Sequence, residues 1–294
     1  MAGPRLDSGG VCGNRFADSL PGTGANMKIV AEIGNAHEGS LGMALAYIDA
    51  VADAGVDAVK FQCHDGDPVS EFRPGTHFPQ DATRQDYWRR VGFTRNQWGQ
   101  LKRRARDKGI EFGVSAFCRE GVAAVCGLID FIKVPSGCVT NEEVLENAGS
   151  IGVPVVLSTG VATEQEIDRA IDFLHALQRF DQTLTVLECT SEYPTPPEHC
   201  LDCDSSRHAR GISDHSGTIW PSIVAATRHA DMSEVHVCFS RQQWGPDVSS
   251  SITIDELRQL VQGVRFIERM RASTVTKDEL AAQLADTRRI FGGA

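Results

Sequence analysis

Eight short runs rich in Val, Ile and Phe recur along the chain: "KIVAEIG" (28–34), "DAVKFQ" (57–62), "EFGVSAF" (111–117), "FIKVPSG" (131–137), "VPVVLSTG" (153–160), "LTVLECT" (184–190), "ARGISDH" (209–215) and "EVHVCF" (234–239). Most are continuously apolar rather than alternating. Continuous runs suit strands covered on both faces by helices, because a sheet with one wet face alternates. The segments between them read as helices. In 162–178, Ile167, Ile171, Leu174 and Leu177 fall at spacings of four, three and three, which is one apolar stripe. Thr163 and Glu166 open it with a capping-box pattern. The segment 40–55 opens on Ser40 and ends on Gly55. Residues 64–90 read as a long loop after the second strand, and such a loop in a compact domain is more often functional than incidental.

Eight βα units over residues 27–272 match the size of a (β/α)₈ TIM barrel, an α/β fold. A doubly wound open sheet is the runner-up, but no GxGxxG follows the first strand. A helix over 253–272 closes the barrel. A charged helix over 275–290 follows, so 273–294 are expected to form a C-terminal helical tail. Residues 1–26, rich in Gly, Pro, Ser and Asn, are expected to form a flexible arm.

The formal net charge of −10 argues against a nucleic-acid partner. The one basic stretch, "LKRRARDKG" (101–109), reads as a solvated helix face ending at Gly109. No apolar run approaches the roughly 20 residues of a membrane span, and the N-terminus carries no apolar signal core. Nine cysteines, an odd number, with no secretory signal, point to reduced thiols and a cytoplasmic protein. Cys200 and Cys203, flanked by His199 and His208, make one CxxC. It lacks a second CxxC and clean zinc-finger spacing, and reads as a loop with incidental thiols.

In a barrel the chemistry sits at the C-terminal strand ends. Taken in order, these ends carry Glu32; Lys60 and Gln62; Ser115; Lys133 and Ser136; Ser158 and Thr159; Thr190 and Ser191; Ser213, Asp214 and His215; Glu234 and His236. Such groups are costly to bury unpaired. Two lysines among many hydroxyls suit an anionic ligand carrying phosphate and carboxylate. His215 and His236, on adjacent strands, can approach one divalent metal from the same side, with carboxylates and waters completing a Mn²⁺ or Mg²⁺ shell.

"AEIGNAHEGS", "VKFQ", "IKVPSG", "LSTGVAT", "CTSEYPTPP", "GISDHSG" and the "EVH…GPD" stretch, in that order over roughly 28–252, resemble the sialic acid synthase family. These enzymes condense phosphoenolpyruvate with an open-chain amino sugar. The resemblance implies a (β/α)₈ barrel with His215 and His236 holding Mn²⁺ or Mg²⁺. It places phosphoenolpyruvate on Lys60, Ser115, Lys133, Ser136, Ser158 and Ser213. Gln62, Thr190 and Ser191, at neighbouring strand ends, join the expected substrate contacts. Glu32 would handle sugar hydroxyls and water, Asp247 would be an acid near the substrate, and Glu234 would join them as a catalytic residue. The metal would polarise the aldehyde. The enol carbon would attack it, leaving a cation at C2 that Glu32 stabilises or supplies with water, before phosphate departs. A homodimer built on barrel helices or the N-terminal arm is expected.

Several positions depart from the family pattern. Cys138 stands where a Glu usually follows "SG" and reads as a small neutral replacement that enlarges the pocket. Glu188 replaces the His of "HCT", Val237 replaces an aromatic, and Ala36 precedes His37. Bacterial members add a small C-terminal antifreeze-like domain that supplies an Arg for the sugar, whereas here there is room after the barrel only for a helix. The phosphoenolpyruvate half and the metal are therefore expected to be retained and the aldehyde-recognising half rebuilt. Two other readings stay open: a Schiff-base aldolase or lyase using Lys133, and a non-catalytic barrel that binds phosphoenolpyruvate.

Overall fold

The computed structural model describes residues 26–65, 81, 83–177 and 183–292. The eight apolar runs form eight parallel strands: β1 Lys28–Gly34, β2 Ala58–Cys63, β3 Glu111–Ala116, β4 Phe131–Val134, β5 Val155–Ser158, β6 Leu184–Cys189, β7 Gly211–Asp214 and β8 Met232–Cys238. Each pairs with the next, and β1 pairs back onto β8, so the sheet closes on itself. A two-residue strand, β9 (Ile252–Thr253), adds to the end of β8 outside the ring. This is the (β/α)₈ barrel. Around it lie α1 Leu41–Ala54, α2 Arg84–Val91, α3 Arg95–Asp107, α4 Arg119–Val125, α5 Glu142–Ser150, α6 Glu164–Leu177, α7 Trp220–Thr227 and α8 Ile254–Ala272, followed by α9 Lys277–Gln283 and α10 Ala285–Phe291.

Four details differ from the sequence expectation. The fourth strand stops at Val134, because Pro135 has no amide to give the ladder, and Ser136–Cys138 turn into a 3-10 segment. No α-helix follows β6; a 3-10 turn at Pro197–His199 stands in its place, within a proline-rich loop. The expected loop at 64–90 contains α2, which begins with a capping box between Thr83 and Asp86. The single helix expected over 275–290 is two helices meeting at Leu284. The expected arm, apart from Asn26, lies outside the described residues, as do 66–80 and 82 of the expected loop.

The apolar residues run continuously along the lower part of the strands because alternate residues pack in opposite directions and both faces are covered. Ile29, Ala31, Ile33, Val59, Phe61, Phe112, Val114, Ile132 and Leu157 belong to the shell between strands and helices. Pointing the other way, Val30, Ala58, Phe131, Val156, Leu187 and Met232 form an apolar layer that fills the barrel. Two glycines make that layer possible. A Cβ on Gly113 would stand 2.1 Å from the Phe131 ring, and one on Gly211 would stand 2.0 Å from the Met232 carbonyl oxygen. The layer closes the barrel beneath the mouth, so whatever binds there must enter from the C-terminal end.

Candidate active site

The inward residues next along seven of the strands are Glu32, Lys60, Ser115, Lys133, Ser158, Ser213 and Glu234; on β6 the place is taken by Cys189. The strand period of two places them one step above the apolar layer. All seven are buried. Register sets neighbours side by side: Glu32 pairs with both Lys60 and His236, Ser115 with Lys133, and Ser213 with Glu234.

These groups are bonded to one another. Lys60 Nζ lies 2.7 Å from Glu32 Oε2 and 3.5 Å from Glu234 Oε1, and donates to Ser115 Oγ at 2.5 Å. Lys133 Nζ donates to Glu234 Oε1 at 2.5 Å and to Ser213 Oγ at 2.9 Å. Burial alone would lower the pKa of Lys60. Glu234 and Glu32 beside it outweigh that and hold its ammonium above the ordinary lysine range. Burial alone would raise Glu234, but Lys133 and Lys60 override it and hold the carboxyl below the usual carboxylate range. Among the described residues, Ser158 Oγ and Glu234 Oε2 are buried without a hydrogen-bond partner. A buried hydroxyl without a partner beside two lysines is where an anionic ligand would complete the bonding.

One step further out stand the two imidazoles. The His215 and His236 ring centroids are 5.3 Å apart. Burial lowers the pKa of both below the ordinary histidine value, against the Thr190 carbonyl for His215 and against Asp247 and Glu32 for His236. Neutral rings have lone pairs to offer a metal. His215 Nδ1 lies 2.8 Å from the Thr190 carbonyl, which can only accept, so the proton sits on Nδ1 and Nε2 presents its lone pair. The Tyr193 hydroxyl donates to that Nε2 at 3.1 Å. Two facing neutral imidazoles fit a divalent cation. Among the described residues no group of three His, Cys, Asp or Glu side chains converges to hold one, so the remaining positions of such an ion would fall to substrate oxygens and water.

Two adjoining cavities lie here. The inner one, about 140 Å³, is lined by the lysines, Glu32, Gln62, Ser115, Ser136, Ser158, Ser191, Ser213, Glu234 and both histidines. The outer one, about 230 Å³, shares Gln62, Phe117, Ser191 and Tyr193 with it, and adds Asn35, His64, Arg84, Tyr87, Trp88 and Asp247. Gln62 joins the two. Its Nε2 donates to Glu32 Oε1 at 2.9 Å, while its Oε1 meets His64 Nε2 at 2.9 Å and Asn35 Nδ2 at 3.4 Å. His64 is itself stacked between Trp88 (3.6 Å) and Phe117 (4.1 Å).

The sequence-expected residues therefore converge, with one exception. The Thr190 hydroxyl donates to the His199 carbonyl at 2.7 Å and faces neither cavity; the residue contributes its own carbonyl, which orients His215. Two of the departures can also be placed. Cys138 lies in the 3-10 turn and packs in the apolar shell, and does not line the cavity. Glu188 falls between the inward-facing Leu187 and Cys189 and points outward. Its Oε1 accepts from the Cys189 amide at 3.0 Å, and burial raises its pKa. In "GISDHSG", Asp214 closes the turn after β7 by accepting from the Ser216 amide and hydroxyl, between the inward Ser213 and His215. Sequence reasoning passed over Tyr193, His64, Trp88, Phe117 and Arg84. The usable signal was "FQCHD" with its histidine one residue past the second strand.

Three comparisons bear on this arrangement. A family model described as the NeuB family matches residues 47–276. The chain is 28% identical over 278 residues to the N,N'-diacetyllegionaminic acid synthase of Legionella pneumophila, covering 88% of this chain and 78% of that protein. It is 30% identical over 274 residues to the human N-acetylneuraminate-9-phosphate synthase, covering 87% and 74%. Its fold resembles the crystal structure of N-acetylneuraminic acid synthetase from Leptospira borgpetersenii, solved with citrate, at a TM-score of 0.73 and 24% identity, over 92% of this chain and 93% of that one.

Proposed function

This chain belongs to the NeuB family, and on that footing we propose that it condenses phosphoenolpyruvate with an open-chain sugar or sugar-like aldehyde, releasing phosphate and a 2-keto acid lengthened by three carbons. The observation that carries the reading is the pair of buried lysines, Lys60 and Lys133, in a small polar cavity directly beneath two facing imidazoles. Phosphoenolpyruvate carries a phosphate and a carboxylate on a three-carbon frame. Two ammonium groups with Ser115, Ser136, Ser158, Ser191 and Ser213 around them supply the charge and donors it needs. The larger outer cavity takes the aldehyde.

His215 and His236 would hold a divalent cation, Mn²⁺ or Mg²⁺, which when bound supplies Lewis-acid polarisation of the aldehyde oxygen. Attack of the enol C3 on the aldehyde carbon forms the new bond and leaves positive charge at C2. Glu32, held ready by Lys60 and Gln62, faces that charge and orients the water that adds to C2; the C2–O bond then breaks and phosphate leaves. Glu234 pins both lysines in position, and Asp247 stands at the aldehyde side. Lys133 is committed to Glu234 and Ser213, whereas a Schiff-base lysine needs an apolar site that frees its amine. With Cys138 and Glu188 off the cavity, the acceptor is selected by the outer wall of His64, Trp88 and Phe117.

The test is product mass. The protein is incubated with phosphoenolpyruvate, Mn²⁺ and a panel of hexosamine aldehydes that includes N-acetylmannosamine, and analysed by mass spectrometry. The reading expects a keto acid equal to one aldehyde plus a pyruvyl unit. Unchanged aldehydes across the panel, with phosphoenolpyruvate intact, count against it.

A further inference from the structure

His215 has one ring lone pair to offer, and Tyr193 takes it. The Thr190 carbonyl at 2.8 Å fixes the ring proton on Nδ1, so Nε2 is the only acceptor on that imidazole. The Tyr193 hydroxyl donates to it at 3.1 Å, and the phenol ring lies against the imidazole with centroids 4.1 Å apart. The same phenol stands edge-on to His236, at 6.1 Å. A tied loop holds it there. The Ser191 amide donates to the Gly160 carbonyl at 3.3 Å, and the Thr195 amide donates to the His215 carbonyl at 3.0 Å. The Thr195 hydroxyl closes the loop by donating to the Glu192 carbonyl at 2.7 Å. Tyr193 is half-buried and lines both the inner and the outer cavity.

We propose that Tyr193 is a latch on the imidazole pair: its hydroxyl holds His215 Nε2 until a divalent cation takes that lone pair, and cation binding releases it. The inference rests on the reading of His215 and His236 as the residues that hold the cation. A nitrogen with one lone pair serves a hydrogen-bond donor or a cation, not both. The phenol is a competitor rather than a further ligand, because the oxygen ligands that suit Mn²⁺ or Mg²⁺ are carboxylates, carbonyls and waters. Until the cation arrives, the latch keeps His215 in the neutral form and orientation that the cation needs, with Thr190 on one nitrogen and Tyr193 on the other. Once released, the hydroxyl is a donor on the wall shared by the two cavities. A partly buried donor seeks a new acceptor, and an oxygen in the outer cavity supplies one. The two events are then coupled in both directions: a ligand that accepts from Tyr193 tightens the cation, and the cation tightens that ligand by the same factor.

Titration of the full chain with Mn²⁺, read from the electron paramagnetic resonance signal of the free ion, tests this without turnover. Tyr193→Phe keeps the ring against His215 and removes the hydroxyl. It should bind Mn²⁺ about two- to tenfold more tightly than the wild type, the effect of one hydrogen bond that no longer has to break. Mn²⁺ should also perturb the tyrosine absorption of the wild type. The chain has three tyrosines, and the perturbation should vanish in Tyr193→Phe. Equal or weaker Mn²⁺ binding by Tyr193→Phe would overturn the latch, weaker binding marking the phenol as a ligand; the metal reading of the imidazole pair survives either result. No Mn²⁺ binding by either protein, or binding that persists undiminished in His215→Ala, would overturn the metal reading and the latch together.

Discussion

Lys133 Nζ donates to Glu234 Oε1 at 2.5 Å across the width of the barrel, from β4 to β8, and Lys60 Nζ stands 3.5 Å from the same oxygen. Glu234 thus stands against both buried lysines, sharing Lys60 with Glu32 at 2.7 Å. Removing one partner of a buried pair is more costly than the pair is worth, because the surviving charge stays in place.

Glu234→Gln should therefore lower unfolding free energy by about 3–5 kcal/mol. An anion in the cavity should return much of that loss. Phosphate or phosphoenolpyruvate should raise the thermal midpoint of Glu234→Gln more than that of the wild type, as measured by differential scanning calorimetry. Equal shifts in the two proteins would mean that the lysines do not face the anion site.

Gln62 holds Glu32 through one amide nitrogen and is itself held by Asn35 and His64. Gln62→Leu removes the donor without adding charge. Turnover should fall about 10- to 100-fold, the order of one misplaced general base, with little change in the affinity for phosphoenolpyruvate. Steady-state kinetics separate the two. A large rise in KM with unchanged kcat would place Gln62 in ground-state binding instead.

The apolar layer below the site leaves no room at Gly113. Gly113→Ala drives a methyl group into the Phe131 ring and should destabilise the fold by about 1–3 kcal/mol, the usual cost of overpacking. Adding Phe131→Leu should recover part of the loss. Chemical denaturation of the two variants checks this.

His37 is buried against Phe93, with ring centroids 4.5 Å apart, and burial pulls its pKa down to about 3. The unfolded chain takes up this proton near pH 6.5, so between pH 6.5 and 3 the unfolded state holds more protons than the folded one. Stability then falls as pH drops through that window and is complete above it. His215 and His236, also lowered by burial, act with the same sign. Unfolding free energy measured from pH 7 to pH 4.5 should decline, and His37→Phe should decline less steeply. An equal slope in the variant would contradict the assignment to His37.

The closed barrel was legible because continuous apolar runs with capped helices between them leave few folds to choose from. The inner cavity was legible for a related reason: polar residues at the ends of such runs have nowhere to point but the mouth. The outer cavity was not legible. Its wall comes from residues such as Trp88 on α2, within a stretch whose prolines and glycines read as loop, and from the packing of His64 between two aromatics, which no spacing announces. Thr190 was misplaced because it lies just past a strand end, where a single residue of register decides whether a side chain faces the cavity or the shell.

The central claim concerns what the lysine cavity and the imidazole pair do together. Its most direct measurement is phosphate release from phosphoenolpyruvate, followed continuously with and without an accepted aldehyde, with and without a chelator, in the wild type and in His215→Ala and His236→Ala. The account expects one phosphate per keto acid formed, only when aldehyde and divalent metal are both present, and none from either variant. Phosphate release that survives chelation and both substitutions, or a borohydride-trapped pyruvate adduct on Lys133 without phosphate release, would contradict it.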